Sequence, residues 1–222
     1  SALMRDLDHA LSLIEAARRA GVNALVFSST CATYGDPVQV PMDETHPQAP
    51  LNPYGHSKLM VEQILRDLDR YCGFRSVILR YFNAAGCDPE GRIGERHEPE
   101  THAIPLAIRA AMGSNHGFKI FGDDYPTADG TAVRDYIHVL DLADAHVLAL
   151  RHLLAGGASD VFNLGTGAGT SVRELVAAIK SVSGGAFDAQ PAPRRSGDAP
   201  ALVADNRKAR EILGWTPRYG LN

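Results

Sequence analysis

The order of the elements that the sequence predicts is that of an α/β protein with a doubly wound parallel sheet. Apolar residues recur three and four apart from Leu7 to Ala17, which predicts a helix, and the apolar run 23–27 predicts the strand that follows. A helix beginning at Tyr54 and an apolar run at 76–82 repeat this order. Because helices that alternate with short apolar strands cover both faces of a parallel sheet, these four elements indicate the fold class.

The rest of the chain predicts a smaller, mixed α/β region. Residues 84–101 show no clear periodicity and are expected to be irregular. Downstream of a further short helix, the sequence predicts strands at 118–121, 132–139 and 161–164, a helix at 141–154, and a helix at 171–182 that starts with a Ser171/Glu174 capping box. We therefore place a second, substrate-binding region after residue 83, with about 132–164 returning to the first sheet.

Composition places the chain among ordinary globular proteins. Of its 222 residues, 45% are hydrophobic and 22% charged, and the formal net charge is −4 with both signs interspersed. Without a basic patch, nucleic acid and anionic membranes are not expected partners. No apolar run approaches membrane-spanning length, the first residues lack the apolar core of a signal peptide, and the cysteines show no metal-ligand spacing. These features indicate the cytoplasm, with Cys31, Cys72 and Cys87 as packing residues.

Tyr54 and Lys58 lie four residues apart, on one face of the predicted helix. The ammonium group would favour the phenolate of Tyr54, and the pair would then act as a proton-transfer device. Half-ionisation near neutral pH requires a pKa shift of about three units, roughly 4 kcal/mol, which is more than one lysine supplies. The oxidised nicotinamide ring of NAD would add a second positive charge and would also accept hydride. Most pairs with this spacing are only solvated helix faces, and that alternative stays open.

Three hydroxyl residues, Ser28, Ser29 and Thr30, end the first predicted strand. Ligands of open α/β sheets bind at the carboxyl ends of the strands, so these side chains are candidates for the same site as Tyr54 and Lys58. The alternative is that Thr30 only caps the turn that follows.

Two other motifs invite a functional interpretation that we reject. The glycine-rich run 165–169 follows a strand, but Thr170 occupies the third glycine position of a dinucleotide fingerprint and no lysine follows. We interpret this run as a tight structural turn. His97 and His102 are five residues apart with a proline between them, which does not place both on one helix face as the zinc motif requires. We therefore expect no metal site.

Five longer segments carry a more specific signal. They are FSSTCATYG at 27–35, PYGHSK at 53–58, RYFNAAG at 80–86, IFGDDYPT at 120–127 and DGTAVRDYIHV at 129–139. Together they resemble the UDP-glucose 4-epimerases, a family of the extended short-chain dehydrogenases/reductases. The resemblance covers about 11–219, and the block 120–139 is its most specific part.

The resemblance implies a reaction and a role for each candidate above. Tyr54 would remove the proton of the sugar 4-hydroxyl while tightly bound NAD takes the hydride from C4; the 4-keto sugar would then turn over and be reduced on its other face. Lys58 would lower the Tyr54 pKa and bind the nicotinamide ribose, and Thr30 would bind the reacting oxygen. The residues implied in cofactor binding are Ser28, Ser29, Tyr54, Lys58 and Phe82.

The resemblance also implies a UDP-sugar site in the second half of the chain. Arg134 and Arg195 would bind the diphosphate through charge-assisted hydrogen bonds, and Asp198 would accept from the ribose hydroxyls. Leu202 aligns with a residue that limits the sugar pocket, and its intermediate size leaves a hexose, an N-acetylhexosamine and a pentose open. The implied substrate-binding residues are Asn83, His102, Lys119, Phe121, Arg134, Arg195, Asp198 and Leu202.

Compared with the family, the chain lacks the opening strand, the glycine-rich turn and the acidic residue that hold NAD. We therefore expect a fragment. Residues 1–83 would form the C-terminal half of a Rossmann-like NAD-binding domain, and 84–222 mainly the UDP-sugar-binding domain. Such a fragment would bind NAD poorly and tend to associate, and the helices at 7–20 and 54–70, which match the family's dimer helices, predict a homodimer.

Alternative functions remain open on the sequence alone. Cys31 and Ala32 stand where related dehydratases and decarboxylases carry acidic residues, so reversible oxidation at C4 is favoured over elimination. A different NAD(P)-dependent epimerase or carbonyl reductase is one alternative. A non-catalytic remnant that only binds UDP-sugars, or pairs with an intact homologue, is another.

Overall fold

The computed structural model describes residues 2–113, 117–184 and 187–221. Helices and strands alternate along most of this length, and no helix in the described ranges is long and apolar enough to cross a membrane. The helices are α1 (Ala2–Arg19), α2 (Pro53–Cys72), α3 (Ala103–Ala111), α4 (Val139–Leu154), α5 (Val172–Ser183) and α6 (Arg207–Leu213), with a 3-10 turn at Cys31–Thr33. The strands are β1 (Ala24–Thr30), β2 (Arg75–Tyr81), β3 (Asn83–Ala85), β4 (Phe118–Phe121), β5 (Val133–Arg134), β6 (Tyr136–His138), β7 (Asp160–Leu164), β8 (Thr170–Ser171), β9 (Ala189–Ala192) and β10 (Ala201–Leu202).

The longest strands form a parallel sheet in the order β1-β2-β7. Thr30 pairs with Tyr81, so the carboxyl ends of β1 and β2 lie side by side. Successive side chains of a strand point to opposite faces of the sheet. Ile78 of β2 packs with α1 and α2, whereas Val77 and Leu79 pack with α4 and α6. Helices therefore cover both faces, which confirms the predicted doubly wound parallel sheet.

The second half of the chain builds smaller sheets. β4 pairs with β9, and α3 and α5 pack on this pair around Phe118, Ile120 and Val176. β5 lies between β10 and β8, and β3 pairs with β6. Within the predicted return at 132–164, β7 is the described strand that adds to the main sheet. The strand predicted at 132–139 is instead two short strands on either side of Asp135, and both join the smaller sheets. The division into two domains stays a prediction.

Local signals explain where α2 begins and ends. The side chain of Asn52 accepts a hydrogen bond from the Gly55 backbone N–H at 2.8 Å, and Pro53 occupies the first turn, where a missing N–H costs nothing. Gly73 ends the helix in the left-handed conformation, with φ of 67°. Between these ends, Val61 and Leu65 are buried against the main sheet. The helix that carries Tyr54 and Lys58 is thus fixed at both ends and along one face.

The packing role predicted for the three cysteines is correct for one of them. Cys31 is buried, but Cys72 and Cys87 are exposed free thiols. Cys72 is the last residue of α2 and Cys87 lies in the loop after β3, and at both places the backbone meets solvent.

Glu62 of α2 and Arg80 of β2 form an ion pair in the protein interior, with 0% and 1% of their surface exposed. Arg80 donates from Nε and Nη2 to the two carboxylate oxygens, at 3.0 and 2.6 Å. Ser29 of β1 donates to the same carboxylate, and Arg80 also donates to Tyr34 Oη at 2.9 Å. Burial alone would raise the pKa of Glu62, but hydrogen bonds and the charge of Arg80 outweigh it and hold that pKa below its ordinary value. The pair ties α2 to both neighbouring strands.

We expect Glu62→Gln to lower the free energy of unfolding by about 3–5 kcal/mol, because the substitution leaves the Arg80 charge buried without a counter-charge. Arg66→Ala is the matched control. Arg66 donates to the same carboxylate from the exposed side, with 45% of its side chain in solvent, so its loss should cost less than about 1 kcal/mol. Urea denaturation of the three proteins measures both values, and equal losses in the two variants would contradict the assigned role.

The same carboxyl group makes stability depend on pH. Because the pKa of Glu62 is lower in the folded than in the unfolded protein, its contribution is fully present above the unfolded value, about 4.3. The contribution is lost as the pH falls through the folded value. When the denaturation is repeated at successively lower pH, the free energy of unfolding should therefore fall more steeply for the parent protein than for Glu62→Gln.

Candidate active site and the adjoining cavity

Tyr54, Lys58 and Thr30 meet where α2 passes the carboxyl end of β1. Lys58 Nζ donates to the carbonyl oxygen of Ser28 at 3.0 Å and lies 5.8 Å from the centre of the Tyr54 ring. Thr30 lies close enough to the Tyr54 phenol to lower its pKa as a hydrogen-bond partner. The Thr30 hydroxyl also accepts from the Ala32 backbone N–H at 3.1 Å, so Thr30 caps the following turn as well. The structure therefore brings together the three residues predicted as catalytic.

The surroundings of this pair shift the pKa values of both side chains. Partial loss of solvent raises the pKa of Tyr54 above its ordinary value, although 47% of the residue stays exposed. The nearby Tyr81 adds to this rise, and Thr30 as a hydrogen-bond partner opposes it. Burial also lowers the pKa of Lys58, with Asp6 acting in the opposite direction. In the chain by itself the pKa of Tyr54 thus lies above its ordinary value, and the lowering expected from Lys58 together with NAD stays a prediction.

Of the other residues predicted to bind the cofactor, Ser28 contributes one atom next to Lys58, whereas Ser29 and Phe82 make other contacts. Ser28 presents its carbonyl oxygen to Lys58, but its hydroxyl lies 2.9 Å from His146 Nε2 on α4. The Ser29 hydroxyl lies on the other face of the strand from the Ser28 hydroxyl and donates to Glu62. Phe82 is buried in a cluster with Cys31 and other core residues. For Ser29 and Phe82 the structure shows packing and internal hydrogen bonds, not an open contact surface.

A cavity of about 690 Å³ contains most of the predicted substrate residues. Those that line it are Asn83, His102, Lys119, Phe121, Arg134, Arg195 and Asp198. Leu202 is the exception, because it packs against the core cluster around Cys31 and Phe82 and does not line the cavity. The assignment of Leu202 as a residue that limits the sugar pocket therefore has no support in this geometry.

Two arginines and an aspartate form one wall of the cavity. Arg134 donates to the carbonyl oxygens of Val133 and Ala199 at 2.8 and 2.9 Å, which fixes its guanidinium group. Arg195 donates to Asp198 at 3.0 Å and its guanidinium group lies 4.6 Å above the centre of the Phe121 ring. The same carboxylate lies 3.7 Å from Arg134. Both guanidinium groups are thus held in place at the cavity wall.

The cavity carries a positive net charge. Its cationic lining residues are Arg109, Lys119, Arg134 and Arg195, and its acidic ones are Glu100 and Asp198, which leaves +2 with histidine neutral. Arg109 was not predicted, because a single arginine on a short amphipathic helix gives no sequence signal that separates it from a surface charge. This charge suits an anionic ligand.

The cavity and the Tyr54 group lie next to each other. Asn83 and Ala84 line the cavity, and Asn83 lies two residues after Tyr81, which acts electrostatically on the Tyr54 phenol. On the other side, the charge of Arg134 acts on the thiol of Cys31, which follows Thr30. Burial nevertheless raises the Cys31 pKa to about 12, so this thiol is neutral near pH 7. Tyr54, Lys58 and Thr30 do not themselves line the cavity, and the residues that connect them to it are those next to β1 and β2 in the chain.

Asp135 explains why the glycine-rich run 165–169 is a structural turn. Its buried carboxylate accepts hydrogen bonds from the backbone N–H of Thr166, Gly167 and Ala204 and from the Thr166 hydroxyl. A Cβ atom at Gly165 would lie 2.4 Å from that carboxylate. The carboxylate occupies the place where a phosphate would have to lie, so the interpretation as a turn is confirmed. Asp135 was not singled out from the sequence, although it lies between two residues that line the cavity, Arg134 and Tyr136.

The two histidines rejected as metal ligands come together after all. Potential ligand atoms of His97, Glu100 and His102 all lie within 4.8 Å of one another. The spacing argument assumed a helix, but this segment is an irregular turn that precedes α3.

Comparison with known proteins agrees with this geometry. The model of the NAD dependent epimerase/dehydratase family matches residues 2–165. The UDP-glucose 4-epimerase of Rhizobium leguminosarum bv. trifolii is 64% identical over 212 residues, which are 96% of this chain and 65% of that protein. The crystal structure of the Brucella ovis UDP-glucose 4-epimerase in complex with NAD has a TM-score of 0.92 at 48% identity, covering 97% of this chain and 67% of that one.

A second solved structure, the Stenotrophomonas maltophila UDP-glucose 4-epimerase with bound NAD and formylated UDP-arabinopyranose, has a TM-score of 0.94 at 42% identity. The structural alignment covers 97% of this chain and 65% of that one. The chain thus spans just under two thirds of the length of the curated relatives that it matches. With more than half of its residues matched by the family model and its fold shared with these enzymes, the chain belongs to the NAD dependent epimerase/dehydratase family.

Proposed function

We propose that this chain carries the proton-transfer residues and the substrate cavity of an NAD-dependent UDP-hexose 4-epimerase, acting on UDP-glucose and UDP-galactose through a 4-keto intermediate. The observation that carries the proposal is the position of Tyr54, Lys58 and Thr30 beside a cationic cavity of about 690 Å³. Cavities of about 300–1,000 Å³ hold small organic ligands. The relatives named above, which are UDP-glucose 4-epimerases, support the same reaction.

In this proposal the cavity wall binds the nucleotide diphosphate. Arg195 is held by Asp198 and by the Phe121 ring, and Arg134 is held by two carbonyl oxygens, so both donors are positioned before a ligand arrives. Planar guanidinium groups suit phosphate oxygens because they donate two parallel hydrogen bonds. Asn83 lines the same cavity, which suits a contact with the sugar or the diphosphate. Backbone groups near Lys119 and Phe121 would hold the uracil.

The residues at the end of β1 would handle the proton of the sugar 4-hydroxyl. Tyr54 accepts this proton as the C–H bond at C4 breaks and returns it when that bond forms again on the other face. Thr30 orients the oxygen of the sugar 4-hydroxyl. Lys58 supplies a positive charge, and its hydrogen bond to the Ser28 carbonyl oxygen keeps that charge in place. Lys58 and the backbone of Ser28 suit the nicotinamide ribose. When bound, NAD supplies the hydride acceptor and donor.

The exposed thiols indicate the redox state of the cellular compartment. Cys72 and Cys87 are free and reach solvent, a state that persists in a reducing environment. We therefore place the protein in the cytoplasm. Because Leu202 lies outside the cavity lining, the choice among a hexose, an N-acetylhexosamine and a pentose depends on other residues.

We expect Tyr54→Phe to reduce epimerase turnover by about 100- to 10,000-fold, because the phenol that moves the proton is lost. NAD and UDP should bind to the variant as they do to the parent protein, since the ring and Lys58 remain. The turnover of UDP-galactose, UDP affinity by calorimetry and NAD released on denaturation measure the three quantities. Tyr71→Phe is the control, because Tyr71 lies on the same helix but is 73% exposed.

Loss of UDP binding together with turnover in Tyr54→Phe would contradict the assigned role. A parent protein that binds UDP and releases no NAD would instead favour a chain that binds UDP-sugars without catalysis. Net consumption of NADPH by a small ketone would favour a carbonyl reductase.

Arg195→Ala tests the diphosphate wall separately. We expect the affinity for UDP to fall about 10- to 100-fold, since a hydrogen bond to a charged group is worth about 1.5–3 kcal/mol. Arg194→Ala is the matched control because Arg194 pairs with Asp124 outside the cavity and stacks on Tyr125. UDP titration by calorimetry compares the two, and an equal loss in both variants would contradict the assignment of Arg195.

The outer surface of α1 and α2 suits a second copy of the chain. Leu11, Leu13 and Met60 are apolar and between 38% and 62% exposed, and Tyr71 is 73% exposed on α2. Burying such a surface between two copies would remove apolar area from water. The two helices also pack on each other around Ile14, Val61 and Leu65, so they present one continuous face.

We therefore expect a homodimer that Leu13→Glu dissociates. Sedimentation velocity should show the parent protein at twice the monomer mass and the variant as a monomer. Val182→Glu on α5 places the same charge at a position that is 82% exposed on a different face, and it should leave the dimer intact. A dimer that persists in Leu13→Glu would exclude this face.

A further inference from the structure

The loop between β3 and α3 combines an open structure with an ordered polar cluster. Residues 86–102 contain no helix or strand, and their side chains are largely exposed, including Ile93 at 75%. Loops of this length without secondary structure are usually either functional or linker segments. The described contacts here include the ion pair of Arg92 with Asp88 and a group formed by His97, Glu100 and His102.

The side chains of this group already have the arrangement of ligands around a common point. Their potential ligand atoms lie within 4.8 Å of one another. His102 Nδ1 is 2.9 Å from Glu100 Oε1 and 3.0 Å from Glu95 Oε1, so two carboxylates converge on one imidazole nitrogen. The side chain of Glu100 is only 2% exposed, which is unusual for a carboxylate in an otherwise solvated loop.

The hydrogen bonding of His97 leaves one ring nitrogen for a ligand role. His97 Nδ1 lies 2.8 Å from the carbonyl oxygen of Pro99, a contact in which the ring nitrogen must donate. In the neutral ring the lone pair is then on Nε2. Metal-binding histidines commonly donate their other N–H to a backbone carbonyl in this way, which fixes the tautomer and the orientation of the ring.

The geometry points to a divalent-cation site formed by His97, Glu100 and His102, with zinc as the ion that this donor set favours. Two imidazoles with one carboxylate are a common zinc ligand set, whereas magnesium and calcium prefer oxygen ligands alone. The proton that His102 shares with the two carboxylates is the one that an ion would replace. Bond lengths of about 2.0–2.2 Å to zinc require the ligand atoms to move closer by rotation of exposed side chains.

An ion at this place would act on the rim of the cavity. Pro99, Glu100, Thr101 and His102 all line it, and His102 immediately precedes α3, which carries Arg109 into the same lining. Binding would join the loop to the start of α3 and hold this side of the cavity in one conformation. The site is distinct from the Tyr54 group, and its existence does not depend on the proposed reaction.

Zinc titration of the chelator-treated, untagged protein tests the site. The exposed thiols of Cys72 and Cys87 could bind zinc themselves, so the titration uses a protein in which both are changed to serine. We expect one ion per chain and no competition from magnesium. Loss of a ligand in His97→Ala should weaken binding by at least about 100-fold. His9→Ala removes an exposed histidine of α1 outside the group and should change nothing.

Hydrogen exchange supplies a second readout that an adventitious surface ion would not produce. Zinc should slow amide exchange within 86–102 and at the start of α3 in the parent protein, but not in His97→Ala. Thermal denaturation with chelator present should show equal stability for parent and variant, because His97 is exposed. Zinc affinity that survives His97→Ala, the absence of stoichiometric binding, or protection confined to other segments would each overturn the proposal.

Discussion

The interior ion pair between Glu62 and Arg80 is the interaction on which the position of the candidate active site depends. Glu62 lies four residues after Lys58 and eight after Tyr54, so all three share one face of α2. That face meets β1 through Ser29 and β2 through Arg80. Sliding or rotation of α2 would break both contacts at once. The contact between Lys58 Nζ and the Ser28 carbonyl oxygen is therefore set by an interaction one helical turn away.

An ion pair in this place is better explained by geometry than by stability. Removing two charges from water is costly, and apolar side chains of similar volume often give equal or greater stability. Apolar packing is non-directional, however, whereas the two parallel hydrogen bonds between Arg80 and Glu62 fix distance and orientation. The network continues from Arg80 through Tyr34 Oη to Asn163 on β7, and so spans all three strands of the main sheet. We infer that this network specifies the register of α2.

The sequence predicted features that depend on local pattern and missed those that depend on tertiary contacts. Apolar periodicity was sufficient to predict α2 and the strands beside it. Of the eight substrate-binding residues that the resemblance implied, all except Leu202 line the cavity. The direction of a side chain such as Ser29 depends on which face of the strand meets α2, which no short motif encodes. The grouping of His97 with His102 was missed because irregular backbone has no periodicity to extrapolate.

The pKa of Tyr54 shows most clearly what the isolated chain does not supply. The spacing predicted a phenol that Lys58 and the oxidised nicotinamide ring together make acidic, but spacing carries no information about loss of solvent, which raises the Tyr54 pKa in the chain by itself. Burial also lowers the pKa of Lys58. A phenolate at this place thus requires a further positive charge close to the ring. In the proposed reaction that charge arrives with the oxidised cofactor, so Tyr54 becomes a competent base only when the hydride acceptor is present. Proton and hydride transfer would then be coupled by electrostatics.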